Sequence, residues 1–307
     1  MSPTSIRPPQ DHPPAAAAGR RALVIRIGAL GDVLLTRRLT HSLSLAGLRS
    51  TIFAPERHAA LLRADPWIDG VFDSESPRFT DAFGGTWPEE HAGFDVAVMI
   101  SQSVELCRAA ESAAMTVIQI PPGPSRDDAP IAQQWADAAS AACRPFIGRL
   151  PLLTTDLGRA LVSGATLIHP GSGSLQKNWP IEGFVRVSRT LQQEGHRLLW
   201  IRGPAESHFH SLASGFEVIE RPPLEVLSAT LARARLFIGN DSGISHLAAA
   251  VGAPTIAIFG PTSDRVWRPD GPRVQTIRSA SGELDAVSVA VVIAAINGFA
   301  RLPRSDA

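Results

Sequence analysis

The sequence predicts an α/β protein of two Rossmann-like, doubly wound domains facing a central cleft, on three observations. Short apolar runs rich in β-branched residues recur along the chain, and most lead through a Gly/Pro/Ser/Asn turn into a stretch of helical spacing. The alternation runs from Ala22 to about Ile120 and restarts at Ala165. Between these halves, residues 144–156 carry prolines without strong periodicity, as an interdomain connection does. The expected division is a disordered Pro/Ala-rich tail at 1–20, an N-terminal domain at 21–150 and a C-terminal domain at 151–307.

In the first half, Ala22 to Ile27 reads as a buried strand, broken at Gly28-Ala-Leu-Gly-Asp32, and a helix is expected from Val33 to Ala46 with Gly47 behind it. A strand at Ser50 to Ala54 and a helix at Glu56 to Arg63 follow. Further strands are expected near Gly70 to Phe72, Asp95 to Ile100 and Met115 to Ile120, and a helix from Ile131 to Cys143. In the second half, strands are expected at Ala165 to His169, Arg197 to Arg202, Glu217 to Glu220, Leu236 to Gly239, Pro254 to Phe259 and Val274 to Ile277. Helices are expected at Ile181 to Gln193, Pro204 to Leu212, Leu224 to Ala232, Ser242 to Val251 and Asp285 to Ala300. Ligands of such sheets bind at the carboxyl ends of the strands, so the turns there carry the functional reading.

Composition narrows the classes. The 307 residues have zero formal net charge, 44% hydrophobic and 19% charged residues, which fits a soluble globular protein and argues against one built around nucleic acid. Cys107 and Cys143 are the only cysteines, so neither a disulfide framework nor a CxxC metal pattern is present. No apolar run reaches transmembrane length, and the N-terminal residues lack a signal-peptide core.

Lysine usage singles out one turn. Of 29 Lys and Arg residues, Lys177 is the only lysine. It lies in His169-Pro-Gly-Ser-Gly-Ser-Leu-Gln-Lys-Asn-Trp-Pro180, between a strand and a helix opened by proline. Backbone N–H groups of a Gly/Ser turn, the hydroxyls of Ser172 and Ser174, the bare amide of Gly173 and one compact ammonium together make an anion site of phosphate type. A second helix N-terminus, Asp241-Ser242-Gly243, offers a carboxylate, a hydroxyl and free amides, with His246 one turn on as either a packed histidine or a ligand contact. Phe259-Gly-Pro-Thr262 is a further polar turn at the same sheet edge. Glu206 in Gly203-Pro-Ala-Glu206 is either a favourable charge at a helix start or a ligand contact. Asp32 either caps its helix or presents a carboxylate to the cleft.

Taken in order, these motifs resemble glycosyltransferase family 9, the ADP-heptose:lipopolysaccharide heptosyltransferases. The resemblance runs from Ala22 to about Ala300, through Gly28-Ala-Leu-Gly-Asp32, the 169–180 turn, Gly203-Pro-Ala-Glu206 and the segment from Asn240 to Thr262. It implies a GT-B fold with the acceptor on the N-terminal domain and the ADP-sugar on the C-terminal one. It further implies Asp32 as general base, Ser174 and Lys177 on the diphosphate, Glu206 on the nucleoside, and Asp241, Ser242, Gly243 and His246 on phosphate and sugar. Ser172, Gly173 and Thr262 join the expected donor set. The expected reaction is inverting, metal-independent transfer of heptose from ADP-heptose to a lipopolysaccharide inner-core or related glycan acceptor. The ADP-sugar is a substrate, and no cofactor is expected. The alternative is a sugar-nucleotide-binding GT-B protein with another donor or without catalysis.

Two departures bear on the acceptor and on metals. Where the family often has a proline soon after the first Thr of the opening helix, this chain has Thr36-Arg-Arg38. Arg37 and Arg38 are then either acceptor contacts or ordinary arginines of an exposed helix face. Residues 273–285 lack the cysteines many members carry near the C-terminus, so no metal is expected. The expected location is cytoplasmic, peripheral to the inner membrane whose cytoplasmic face carries the glycolipid acceptor.

Overall fold

The computed structural model of the chain describes residues 19–154, 159–203 and 215–300. Five parallel strands form the first sheet: β1 (Arg20–Ile25), β2 (Leu48–Ala54), β3 (Ile68–Asp73), β4 (Val96–Ile100) and β5 (Thr116–Ile120), in the order β3-β2-β1-β4-β5. Six parallel strands form the second: β6 (Thr166–His169), β7 (Leu198–Arg202), β8 (Val218–Glu220), β9 (Leu236–Asn240), β10 (Thr255–Phe259) and β11 (Val274–Arg278), in the order β11-β10-β9-β6-β7-β8. Strand order reverses between β1 and β4 in one sheet and between β6 and β9 in the other. Those two switch points are where crevices open in doubly wound sheets.

The central strands are apolar on both faces because both faces are covered. Along β1, Ala22 and Val24 point to one side, Leu23 and Ile25 to the other; β4 repeats this with Val96, Val98 and Ile100 against Ala97 and Met99. The Ala22 and Val24 side merges with the Leu167 and Phe237 side of the second sheet into one core shared by both halves. The remaining faces have cores of their own, around Phe53, Phe72, Phe79 and Trp87 in the first half and Trp179, Phe184, Trp200 and Val292 in the second.

The helix expected from Val33 to Ala46 is two helices, α1 (Leu30–Leu35) and α2 (Arg37–Leu45). The junction is Thr36, whose hydroxyl bonds the Val33 carbonyl at 2.7 Å while its N–H bonds the same oxygen at 3.1 Å, tightening the turn. The next helix is also shorter than expected: α3 (Glu56–Ala59) passes into a 3₁₀ turn at Ala60–Ala64. Helix α4 (Val104–Ser112) was not predicted, and α5 (Ile131–Ala138) ends before Cys143. The second half contains α6 (Ile181–Gln193), α7 (Leu224–Ala232), α8 (Gly243–Ala250), the single turn α9 (Asp264–Trp267) and α10 (Val289–Ala300). The expected tail up to residue 18, the helix expected from Pro204 to Leu212 and Glu206 lie outside the described residues. Among the described residues, no helix is long and apolar enough to cross a membrane.

Candidate active site between the two domains

Each switch point delivers functional side chains to the domain junction. Strand β1 ends at Ile25 and leads through Gly28 to Asp32 in the first turn of α1. The carboxylate folds back over its own turn: Oδ2 accepts the Ala29 N–H at 3.2 Å, and Oδ1 lies 2.8 Å from Nη2 of Arg26. A Cβ on Gly28 would sit 2.8 Å from Asp32 Oδ2, so this approach needs glycine. Asp32 is therefore a helix cap in fact, and still about a quarter exposed at the junction.

Across from it stands the start of α8. A Cβ on Gly31 would lie 3.0 Å from the His246 ring, and one on Gly243 would lie 3.1 Å from the Gly31 backbone nitrogen. Bare backbone on both sides lets the two helix starts meet. The Asp32 and Asp241 carboxylates both act electrostatically on His246, but its burial dominates and pushes the imidazole below its ordinary pKa of 6.5. It faces the junction as a neutral ring near pH 7.

The second switch point holds the basic turn. Strand β6 leads from His169 into residues 170–180, and β9 leads into Asp241. Lys177 Nζ bonds Asp241 Oδ2 at 2.8 Å, and the Thr262 hydroxyl donates to the same oxygen at 2.6 Å. Lys177, Asp241 and Thr262, 85 residues apart in sequence from first to last, thus form one cluster. The lysine expected to complete a phosphate site is paired with a carboxylate of the neighbouring turn. The hydroxyl of Ser172, nearly buried, lies 2.7 Å from two acceptors, the Ser174 carbonyl and Asn178 Oδ1, that share its one hydrogen, while Gly173 and Ser174 are exposed on the turn. Ser242 caps α8, its hydroxyl accepting the Ser245 N–H at 3.4 Å, which leaves the amides of Gly243 and Ile244 at the helix start.

Asn240, buried completely at the end of β9, was not singled out from the sequence. Its Oδ1 accepts the Trp179 N–H at 3.0 Å and its Nδ2 donates to the Pro170 carbonyl at 2.6 Å, so one side chain pins both ends of the Lys177 turn. The available signal was an amide closing an otherwise apolar strand, a residue type that is buried only when satisfied. Arg26 was missed as well, though it is a charge directly following a buried strand.

Arg37 and Arg38 are both engaged by other groups of the protein. The Arg37 side chain is 2% exposed and bidentate on Asp65, at 2.7 and 2.8 Å, with Nη2 also donating to the Pro151 carbonyl at 2.9 Å. Arg38 is bidentate on Asp270, at 2.9 and 3.0 Å, and donates to the carbonyls of Phe146 and Gly148 at 3.0 and 3.1 Å. Two arginines thereby bind three carbonyls of the interdomain connection and one carboxylate of the second half. Nε and Nη2 of both are thus bonded within the protein, which ties the two halves and their connection together. Among the described residues, no group of three or more His, Cys, Asp or Glu side chains could hold a metal ion.

Residues 98–290 match the model of glycosyltransferase family 9 (heptosyltransferase). The chain belongs to that family. Lipopolysaccharide heptosyltransferase 1 of Escherichia coli O18:K1:H7 (strain RS218 / NMEC) is 30% identical over 157 residues, 50% of this chain and 46% of that protein. The chain spans about a third to a half of the length of the first curated relatives it matches. Among solved structures, the glycosyl transferase family 9 protein of Veillonella parvula DSM 2008 superposes with a TM-score of 0.74 at 18% identity, covering 91% of this chain and 97% of that one. E. coli heptosyltransferase WaaC with ADP gives 0.69 at 19% identity, covering 91% and 99%. The fold of this family member is GT-B, two Rossmann-like domains with Asp32 on one side of their junction and the Lys177 cluster on the other.

Proposed function

We propose that this protein transfers heptose from ADP-heptose to a lipopolysaccharide inner-core or related glycan acceptor. The observation that carries the reading is the meeting of α1 and α8, which sets a carboxylate from one domain opposite a lysine and a helix N-terminus from the other. Membership of the heptosyltransferase family and the likeness in fold to a structure containing ADP support the choice of donor.

In this reading the acceptor hydroxyl attacks the anomeric carbon while Asp32 takes its proton. The bond from that carbon to the phosphate oxygen breaks, and ADP leaves with the electron pair. Attack opposite the leaving group inverts the anomeric configuration. The departing charge meets Lys177, the Ser172 to Ser174 turn and the α8 amides, which are fixed dipoles aimed at one place. Asp241 holds Lys177 in position until the diphosphate competes for it, and its carboxylate then accepts hydroxyls of the sugar. His246, neutral, adds a hydrogen-bonding wall without repelling any cation there. No metal is required in this scheme, since the lysine and helix termini supply the positive charge. The acceptor is a glycolipid presented at the cytoplasmic face of the inner membrane.

The test combines binding with turnover. ADP should raise the unfolding midpoint where UDP and GDP do not, because a ligand that binds only the folded state stabilises it by mass action. Transfer from ADP-heptose should persist with EDTA present and give the inverted anomer. Stabilisation by UDP or GDP alone, or the absence of transfer to any core acceptor, would overturn the reading.

A further inference from the structure

We propose that Arg26 is a positioning residue for the transfer reaction, a guanidinium that fixes the Asp32 carboxylate for proton abstraction. The inference rests on the function proposed above. Three arginines sit at this junction, and they differ in how fully their donors are used. Arg37 places Nε and Nη2 on Asp65 and adds a carbonyl; Arg38 places Nε and Nη2 on Asp270 and adds two carbonyls. In both, Nε and Nη2 grip one carboxylate as a fork, the pattern of a structural arginine.

Arg26 departs from that pattern. Its Nη2 contacts Asp32 Oδ1 at 2.8 Å, while its Nε is buried with no hydrogen-bond partner. Leaving a buried N–H unsatisfied works against stability and calls for an explanation. The side chain is fixed from both ends. Its backbone N–H donates to the Phe53 carbonyl at 3.1 Å, anchoring the end of β1, and its guanidinium carbon lies 5.3 Å from the ring centroid of Trp135, which is itself 1% exposed. The guanidinium is thus held by a rigid ring on α5 and directed at Asp32 Oδ1.

The consequence for the base is geometric. Oδ1 is engaged by Arg26, and Oδ2, which accepts only the backbone N–H of Ala29 at 3.2 Å, keeps a lone pair for the incoming hydroxyl. Arg26 thereby selects which oxygen receives the proton. Without it, the carboxylate turns about its own bonds, and a reacting group displaced by an ångström loses about 10- to 100-fold in rate.

The experiment uses the full chain with ADP-heptose and a core acceptor that the wild type turns over. Arg26→Ala is expected to lower kcat by about 10- to 100-fold while the KM for ADP-heptose and the affinity for ADP stay within about twofold, since the donor cluster is on the other domain. Added guanidinium ion, at a concentration too low to shift the unfolding midpoint, should restore part of the turnover of Arg26→Ala and none of that of Asp32→Asn. Arg26→Lys, which replaces the fork by a point charge, should recover part of the loss. If Arg26→Ala does not fold, as judged by ADP binding on the same sample, Arg26→Gln is read by the same criteria. Wild-type kcat in the folded variant overturns the inference, and so does a loss that neither guanidinium nor lysine relieves. A wild-type protein that transfers no heptose instead refutes the functional reading, so the two failures are separable.

Discussion

The Lys177 side and the Asp32 side of the junction, the proposed donor and acceptor sides, are built by opposite strategies. On the donor side, Lys177, Asp241 and Thr262 meet because their turns leave adjacent parallel strands of one sheet, and Asn240 locks the longest turn from beneath. On the acceptor side, one carboxylate stands near the surface on a six-residue helix beside Arg26, while Arg37 and Arg38 on the next helix look inward to hold the domains and their connection. On the proposed function, the donor cluster is complete within one domain, whereas the placing of Asp32 against it depends on how the two domains are held. Binding and turnover should therefore respond to different residues.

The largest effect should come from the buried clamp. Both side chains of the Arg37 and Asp65 pair are at most 2% exposed, and removing one partner of such a pair costs about 3 to 5 kcal/mol. Arg37→Ala should lower the unfolding free energy in urea by that amount while the folded protein keeps its affinity for ADP. If Arg37 instead serves the acceptor, stability will hardly change and the acceptor KM will rise.

A comparable effect is expected from acid, through the donor side. Burial pushes His169, at the end of β6, down from the ordinary 6.5 to about 4. The unfolded chain takes up this proton near 6.5 and the folded chain only near 4, so stability is full above about 6.5 and is lost as pH falls toward 4. The contribution is about 3 kcal/mol. Urea unfolding across that range should show a shallower loss for His169→Asn, and equal slopes would remove His169 as the cause.

Lys177→Ala should be milder for the fold and selective for the nucleotide. A charge-assisted bond to phosphate contributes about 1.5 to 3 kcal/mol, or about 10- to 100-fold in ADP affinity by titration calorimetry. Since Lys177 is about one-third exposed, its pairing with Asp241 adds little stability. Lys177→Arg should restore the affinity incompletely, because a planar fork needs different geometry. Unchanged ADP affinity in the alanine variant would dissolve the donor side of the comparison.

The two strategies also explain what could be read in the chain. Both sheets were legible because strands such as β1 and β4, buried on both faces, appear as unbroken apolar runs. The donor turns were legible because glycine, serine and a lone lysine collect at strand ends. Helix α4 was not, since its buried positions are Leu106, Ala109 and Ala110, a weak apolar signal, and its start depends on the Ser103 hydroxyl accepting the Leu106 N–H. The arginines were illegible for a different reason. Arg38 finds Asp270 across 232 residues, and no local pattern distinguishes a clamp from a surface charge. Asp32 was read as either cap or cleft carboxylate, and the structure shows that it caps and also faces the junction.

That double role makes Asp32→Asn the most direct measurement. The amide keeps the size and much of the capping capacity but cannot take up the acceptor proton. Single-turnover transfer from ADP-heptose should fall by about 10² to 10⁴ while ADP affinity and unfolding free energy stay close to wild type. Wild-type transfer by a folded Asp32→Asn protein would contradict the account, leaving Asp32 a helix cap alone.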